Sequence, residues 1–447
     1  MQLFSTTGKF IKKRYNHRGP SPPDSSIMTF LPKKIYLNGS DCFHLMLEKS
    51  RELTREGNNQ FYLCVQLQTR EALETIEQTV QQSPLLDWIA NIRLINPQIG
   101  VPFFRYMNQG NTLTVRHHEN FTEQFPAQLL NDTLSLKNNS FFRIDAYSFN
   151  GKQYLLLTFH HVLFDGKGAG MMLQHLTGQL PVDNTTFSSL FPQQLKWKNP
   201  LRQWQNLIRV KKQVEQTNKA ETAYLEVKNN RETGFGMTSH LFSEEETAFI
   251  RENAIKNGVR FGLNFFQVAC IAKAFRTVLT ETDSQWVPIP YNGRKRGVPG
   301  AIISNHTSFI FHRLNVTPET SLREIAVQLQ QQMNEQLKCG LPEKYNDLLQ
   351  LMRFFPAWFN HLVTTQSSKG KIASFLYSST EAGEKENTEL VKQQWILPPF
   401  SYPPGFTVNF YTYHNRLNFH IVFSRKHVDS EQINTFKTTL IHLLTQK

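Results

Sequence analysis

The sequence predicts an α/β (α+β) chain of two domains, each mixing strands with helices. Three observations lead there. At 447 residues the chain is longer than one hydrophobic core usually serves, since domains settle at roughly 100–150 residues. Strand-like and helix-like segments are interleaved through both halves, and no repeat of fixed period suggests a solenoid. Apolar residues make up 39% and charged residues 19%, with 35 Phe, which is enough to fill large cores and excludes a disordered chain.

The chain divides into a basic tail (1–30), a first domain (31–185), a crossover linker (186–240) and a second domain (241–447). Residues 1–34 carry seven Lys/Arg against Asp24, and residues 195–219 carry seven against Glu215. These two stretches hold +12 of the net charge of +13, so the charge describes two segments and not a basic fold. The tail reads as solvated and disordered, with Met28 a second candidate start. In the linker, Trp197, Leu201, Trp204 and Ile208 stand at near-helical spacing among the cations. They read as an amphipathic helix that docks on a neighbouring domain, with peripheral contact to an anionic membrane through 1–34 and 195–219 as the alternative. Nucleic-acid binding has only these segments behind it and is not expected.

Structure begins near Leu31. Phe61–Leu67 is rich in β-branched and aromatic residues and predicts a strand; Arg70–Gln82 predicts a helix, with Leu73, Ile76 and Val80 on one face. Two apolar strands then flank Asn150-Gly151, the strongest short hairpin signal because both residues tolerate positive φ. The second, Tyr154–Phe159, is apolar on both faces, which predicts a strand buried inside a sheet. A helix over 167–180 follows. Beyond the linker, Ser243-Glu244-Glu245-Glu246 predicts a capping box, a helix to Asn257 and a stop at Gly258. Further expectations are a helix over 264–277, strands at 285–290 and around Phe309 and Phe311, and a helix after Ser321 burying Leu322, Ile325, Leu329, Met333 and Leu337. A helix over 349–363 carries Phe355 and Trp358. A hairpin from Phe406 to Phe423 turning at His414-Asn415, and a last helix facing Ile433, Phe436 and Leu440 inward, end the chain.

The buried strand at 154–159 runs into His160-His161-Val162-Leu163-Phe164-Asp165-Gly166. A neutral imidazole at a strand end, half shielded from water, suits proton abstraction near neutral pH. Strand alternation puts His160 and His161 on opposite faces, so only one enters a given cleft and the two cannot share one ion. No His-x3-His or Cys-x2-Cys stands nearby, and Cys42, Cys64, Cys270 and Cys339 are scattered, so no metal site is expected. Asp165 suits an ion pair that holds the turn, and Gly166 a backbone angle that other residues resist. Taken alone, the residues fit a pair of satisfied core histidines better than they fit a base.

The pattern His-His-x-x-x-Asp-Gly after an apolar strand resembles the signature of the thioester-dependent acyltransferase superfamily. That superfamily holds chloramphenicol acetyltransferase, peptide-synthetase condensation domains, plant alcohol acyltransferases and wax ester synthases. Other segments agree in order. Gly258–Val268 resembles a helix start of the wax ester synthase group, Val287–Arg294 is similar to the strand that ends in an arginine, and Ile303–Ser308 is similar to a segment that usually reads Gly-Asn. The likeness runs from about Asp41 to Leu443. It implies two chloramphenicol acetyltransferase-like domains, each a mixed sheet flanked by helices, with a tunnel at their interface.

It further implies an acyl-CoA-dependent O-acyltransferase of wax ester synthase type, moving a fatty acyl group to a hydroxyl, with His161 as general base. His160 and Gly166 would be framework, and Asp165 would pair with Arg294, or failing that Arg143. Asn305, Ser378, Ser379, Phe355 and Trp358 would line the tunnel. No bound cofactor or metal is implied, only the thioester as co-substrate and an alcohol or amine acceptor. Alternatives are a condensation protein fed by a carrier-bound thioester and a non-catalytic binding member of the fold. Phe265, Ser304 and Ser379 replace the Asp, Gly and Asn usual in the wax ester group, which leaves the acceptor open. With no apolar run long enough to span a membrane and no signal-peptide core, a cytoplasmic protein is expected.

Overall fold

The computed structural model describes residues 31–446 apart from 99, 184, 188–204, 206–207, 211, 213–221, 226–231, 280–282, 295–300, 367–371 and 382–388. The tail and most of the basic linker segment lie outside the described residues.

A three-stranded antiparallel sheet, β1 (Lys34–Tyr36), β3 (Ile92–Ile95) and β4 (Phe103–Tyr106), is ordered β1-β4-β3. The main sheet of the first half contains β2 (Gln60–Leu67), β5 (Val115–Phe121), β6 (Phe142–Phe149) and β7 (Lys152–His160). Asn150 and Gly151 both take positive φ in the β6–β7 turn (49° and 71°), the geometry that a two-residue hairpin matching the strand twist requires. Leu155, Leu156 and Leu157 are each fully buried, contributing roughly 1.5–3 kcal/mol apiece through removal from water. One face of this sheet packs on α2 (Arg70–Gln82), α3 (Pro84–Ala90) and α5 (Gly166–Leu176) through Leu63, Val65, Ile76, Leu86, Leu157 and Met172.

The second half builds a four-stranded sheet from β8 (Phe235–Leu241), β11 (Leu376–Glu381), β13 (Phe406–Tyr413) and β14 (Arg416–Ser424), ordered β11-β13-β14-β8. Val408, Phe410, Phe419 and Ile421 pack with Phe266, Ile271 and Phe436 of the helices Asn264–Phe275 and Ser430–Thr445. His414 and Asn415 turn β13 into β14 with φ of 45° and 58°.

A boundary at 241 does not coincide with the sheets. β12 (Val391–Leu397) pairs antiparallel with β2 and completes the first sheet in the order β12-β2-β7-β6-β5. β8 already belongs to the second sheet. β13 then runs beside β12: Asn409 Nδ2 donates to Ile396 O (2.9 Å), and Tyr411 and Gln394 hydrogen-bond side chain to side chain. A third core, including Tyr62, Leu156, Trp395 and Val422, fills the space between the two sheets.

β9 (Ser284–Asn292) and β10 (Thr307–Asn315) form a separate antiparallel pair. The free edge of β10 is closed by glutamines of the helix Leu322–Lys338. Gln328, Gln332 and Gln336, spaced i, i+4, i+8, each accept from a backbone N–H, of Asn315 (3.2 Å), Arg313 (2.8 Å) and Phe311 (2.9 Å). Each also donates to the carbonyl of the same residue (3.4, 2.7 and 2.5 Å). Side-chain amides thus do the work of a neighbouring strand on an edge that would otherwise be open. The expected buried face of that helix holds at Ile325 and Leu329 but is corrected at its end, where Gln336 is buried and Leu337 is 38% exposed.

The helix expected over 349–363 is two helices, Leu341–Leu351 and Ala357–Gln366, joined through a 3-10 turn at Met352–Phe354. Pro356 accounts for the break, because it drives the preceding Phe355 to extended backbone (φ −115°, ψ 144°).

Candidate active site

The motif stands where β7 ends at His160. Its turn is closed by Leu163 N–H and Phe164 N–H donating to His160 O (3.0 and 3.2 Å). Because the strand ends there, alternation does not separate the two rings. Both meet α1 (Gly39–Thr54), one helical turn apart, at Glu48 and His44.

His160 is 1% exposed; its Nδ1 accepts from Val162 N–H (3.2 Å), and its Nε2 lies 3.7 Å from a Glu48 carboxylate oxygen. Burial, with His161 and Arg51 nearby, pulls its pKa down to about 3, so the ring is neutral near pH 7. His161 is partly buried. Its Nδ1 lies 3.0 Å from Phe164 O, and only Nδ1–H can make a hydrogen bond to a carbonyl, so the lone pair is left on Nε2. Burial lowers the His161 pKa from its usual value; the Asp165 charge, Asn305 and Phe164 O act the other way and do not cancel it.

Asp165 has no hydrogen bond to His161. It caps α5, accepting from Gly168 N–H (2.8 Å), and it accepts from Arg294 Nη1 (2.5 Å) and Nη2 (2.9 Å) and from His306 N–H (3.0 Å). Burial alone would raise its pKa, but the Arg294 charge and these bonds outweigh it and hold the carboxyl below its usual value. Arg294 follows β9, and its side chain is 6% exposed. Arg143 is committed elsewhere: it donates to Asp145 Oδ2 (2.8 Å), Asp132 O (2.9 Å) and Leu129 O (3.0 Å).

Gly166 is the first residue of α5, is not among the positive-φ residues, and has nothing within 4 Å of a built Cβ. No special backbone angle is required there, which corrects the sequence-based expectation. The constrained position is Gly168, where a Cβ would lie 2.4 Å from Ile302 O.

Asn305 ties the second half of the chain to the motif. Its Nδ2 donates to His161 O (2.7 Å) and to Asp41 Oδ1 (2.9 Å), and its backbone N–H donates to the same oxygen (2.9 Å). Ser304, where glycine is usual, takes φ of 107°, a region that side chains resist. Its N–H donates to Leu163 O (2.9 Å), and its Oγ accepts from Asn38 Nδ2 (2.9 Å).

The remaining tunnel candidates lie on β11 and at the start of the helix Ala357–Gln366. Ser378 and Ser379 are partly buried on β11, in register with Asn409 and Phe410, and so face opposite sides of that sheet. Phe355 and Trp358 are 46% and 58% exposed.

The sequence reading missed the contribution of α1. Asp41, His44 and Glu48, at i, i+3 and i+7, are 2%, 7% and 6% exposed and meet Asn305, His161 and His160 in turn. Asp41 also completes the capping box with Asn38. Its burial raises the carboxyl to about 7, against hydrogen bonds from Asn38 and Asn305 that lower it. The signal was present as polar residues at helical spacing on a face that meets the core.

No family model and no curated protein sequence matches the chain. Solved structures do. The first condensation domain of the CDA synthetase superposes with TM-score 0.67 at 12% identity, covering 92% of this chain and 96% of that one. TRI3 trichothecene 15-O-acetyltransferase from Fusarium sporotrichioides gives 0.65 at 12% identity, covering 92% and 95%. The starter condensation domain of rhizomide synthetase RzmA, solved with C8-CoA and Leu-SNAC, gives 0.65 at 12% identity, covering 95% and 96%. The fold is therefore the two-lobed chloramphenicol acetyltransferase-like fold of condensation domains and acyltransferases.

Proposed function

We propose that the chain transfers an acyl group from a thioester to a hydroxyl acceptor, with His161 as the general base. The observation that carries this reading is the Nδ1–Phe164 O bond, which leaves Nε2 as the basic atom of a partly buried ring. The acceptor O–H gives its proton to Nε2 while its oxygen forms a bond to the thioester carbonyl carbon. Collapse of the tetrahedral intermediate breaks the C–S bond, and the proton passes from Nε2 to the departing thiolate. Asp165, saturated by Arg294, Gly168 and His306, keeps the turn in place and takes no part in proton transfer.

The donor proposed is acyl-CoA carrying a fatty acyl chain, and the segments 1–34 and 195–219 are proposed as lipid-surface contacts on the strength of their charge alone. A second reading, a carrier-protein thioester with an amine acceptor, is favoured by the likeness to condensation domains. The test is release of free thiol from acyl-CoA of graded chain length in the presence of alcohols or amines. Wild type should release thiol in an acceptor-dependent way, and His161→Ala should lose at least a hundredfold, within the usual contribution of general-base catalysis of about 10²–10⁴. Equal slow release by both proteins with every donor and acceptor sinks the catalytic reading.

A further inference from the structure

His44 lies outside the motif, yet its ring packs closer to that of the proposed base than the ring of Phe61 does. The imidazoles of His44 and His161 stack with centroids 4.0 Å apart and planes within 9°, while Phe61 closes the same ring from another side at 4.7 Å and 48°. Asn59 sets the spacing of the pair: its Nδ2 donates to His44 O (2.8 Å), and its carbonyl accepts His161 N–H (2.9 Å). On α1, His44 is held between Asp41, which anchors Asn305, and Glu48, which lies against His160.

We propose that His44 is a positioning residue for His161: its ring face keeps the base in the plane that preserves the Nδ1–Phe164 O bond and aims Nε2 at the acceptor.

The inference rests on the acyl-transfer reading only for its kinetic half. His161 has two ring nitrogens and a rotatable side chain; Phe164 O fixes one edge of the ring, and a flat neighbour is needed to fix its plane. An aromatic face also suits the charge cycle. When Nε2 takes a proton, an uncharged π face against the new cation is favourable, whereas a second cation there would be repelled. His44 is suited to remain uncharged. Burial and the neighbouring rings of His161 and His160 hold its pKa well below the usual value, and its Nδ1 is buried without a hydrogen-bond partner. The charged or titratable groups that act on His161 itself include Asp165, which favours its protonation.

The experiment compares His44→Phe and His44→Leu with wild type. The first readout needs no substrate: side-chain ¹⁵N shifts of His161 at pH 8 distinguish a fixed Nδ1–H tautomer from a mixture of the two. Wild type and His44→Phe should show the fixed tautomer, and His44→Leu a mixture. The second readout is thiol release. His44→Leu should lose about tenfold in kcat with KM within twofold, as expected for a base held less often in its productive geometry, and His44→Phe should stay within threefold of wild type. A His44→Leu protein with the wild-type tautomer and kcat overturns the proposal. So does His44→Phe if it is folded and as impaired as His44→Leu, because packing volume and not the ring face would then matter. If wild type transfers no acyl group, the tautomer comparison still decides the role of His44, while the functional reading fails separately.

Discussion

Asp165→Ala separates a structural carboxylate from a chemical one. The substitution removes the acceptor of four hydrogen bonds, two from Arg294 and one each from Gly168 and His306. It leaves a guanidinium that is 6% exposed and whose Nε already lacks a partner. Breaking one side of a buried ion pair costs about 3–5 kcal/mol, and loss of a helix N-cap about 1 kcal/mol. Both losses fall in one network and do not simply add, so a destabilisation of about 4 kcal/mol is expected. Urea unfolding at pH 7.5 measures it. Asp165→Leu combined with Arg294→Met should recover more than half, because the orphaned charge goes with its partner. The reasoning is refuted if Asp165→Ala unfolds within about 1 kcal/mol of wild type and has nevertheless lost thiol release, since the carboxylate would then be acting on the reaction.

Two further outcomes follow from burial. His160 and His420 have pKa values near 3, and His306 and His312 near 4, in each case first because of burial. The unfolded chain takes up these protons near pH 6.5 and the folded chain does not. Stability is therefore lost as pH falls below about 6.5, at about 1.4 kcal/mol per pH unit per histidine, until the folded pKa is reached. Urea midpoints at pH 7 and pH 5 should fall steeply on acidification, and His420→Leu should lower the slope by about one proton; a midpoint equal at both pH values contradicts this. At the motif, Gly168→Ala drives a Cβ into Ile302 O and should cost at least about 2 kcal/mol. Gly166→Ala meets open space and should change stability by less than about 0.5 kcal/mol. Thermal melts of the pair check both, and equal losses would show the close approach at 168 to be unimportant.

Local backbone chemistry was legible in the sequence because its cause lies within a few residues. Asn150-Gly151 and His414-Asn415 announce turns that need positive φ at both positions, and Ser243 and Ser321 cap helices with the Glu three residues on. Long-range partners carry no comparable signal. Val391–Leu397 drew no expectation from the sequence, and nothing in its residues says that it joins β2, more than 300 residues earlier, and not the sheet of its own half. The same holds for α1. The spacing of Asp41, His44 and Glu48 marks one helix face, while the identity of what that face meets depends on how the motif turns after His160. Pro356 is a different case: its cause is local, because the residue before a proline is driven out of helical backbone, and the break at Phe355 is readable from the sequence itself.

The absence of a carboxylate on Nδ1 has a chemical consequence under the proposed reaction. A carboxylate partner would stabilise the imidazolium and raise its pKa, making a stronger base and a weaker acid. At His161 that place is taken by a neutral carbonyl, whose upward effect does not cancel the lowering of the pKa by burial. The ring is thus a weaker base than an ordinary imidazole, and its protonated form a stronger acid. Thiols ionise near pH 8.5, so the departing thiolate is far more basic than this imidazole, and return of the proton is downhill. Since an alcohol is a poor acid, its proton must leave as the C–O bond forms, when its acidity rises. Catalysis would then depend on holding Nε2 in line at that moment more than on its basicity, which is why the fixed tautomer, the Asn305 tie and the His44 face bear on rate.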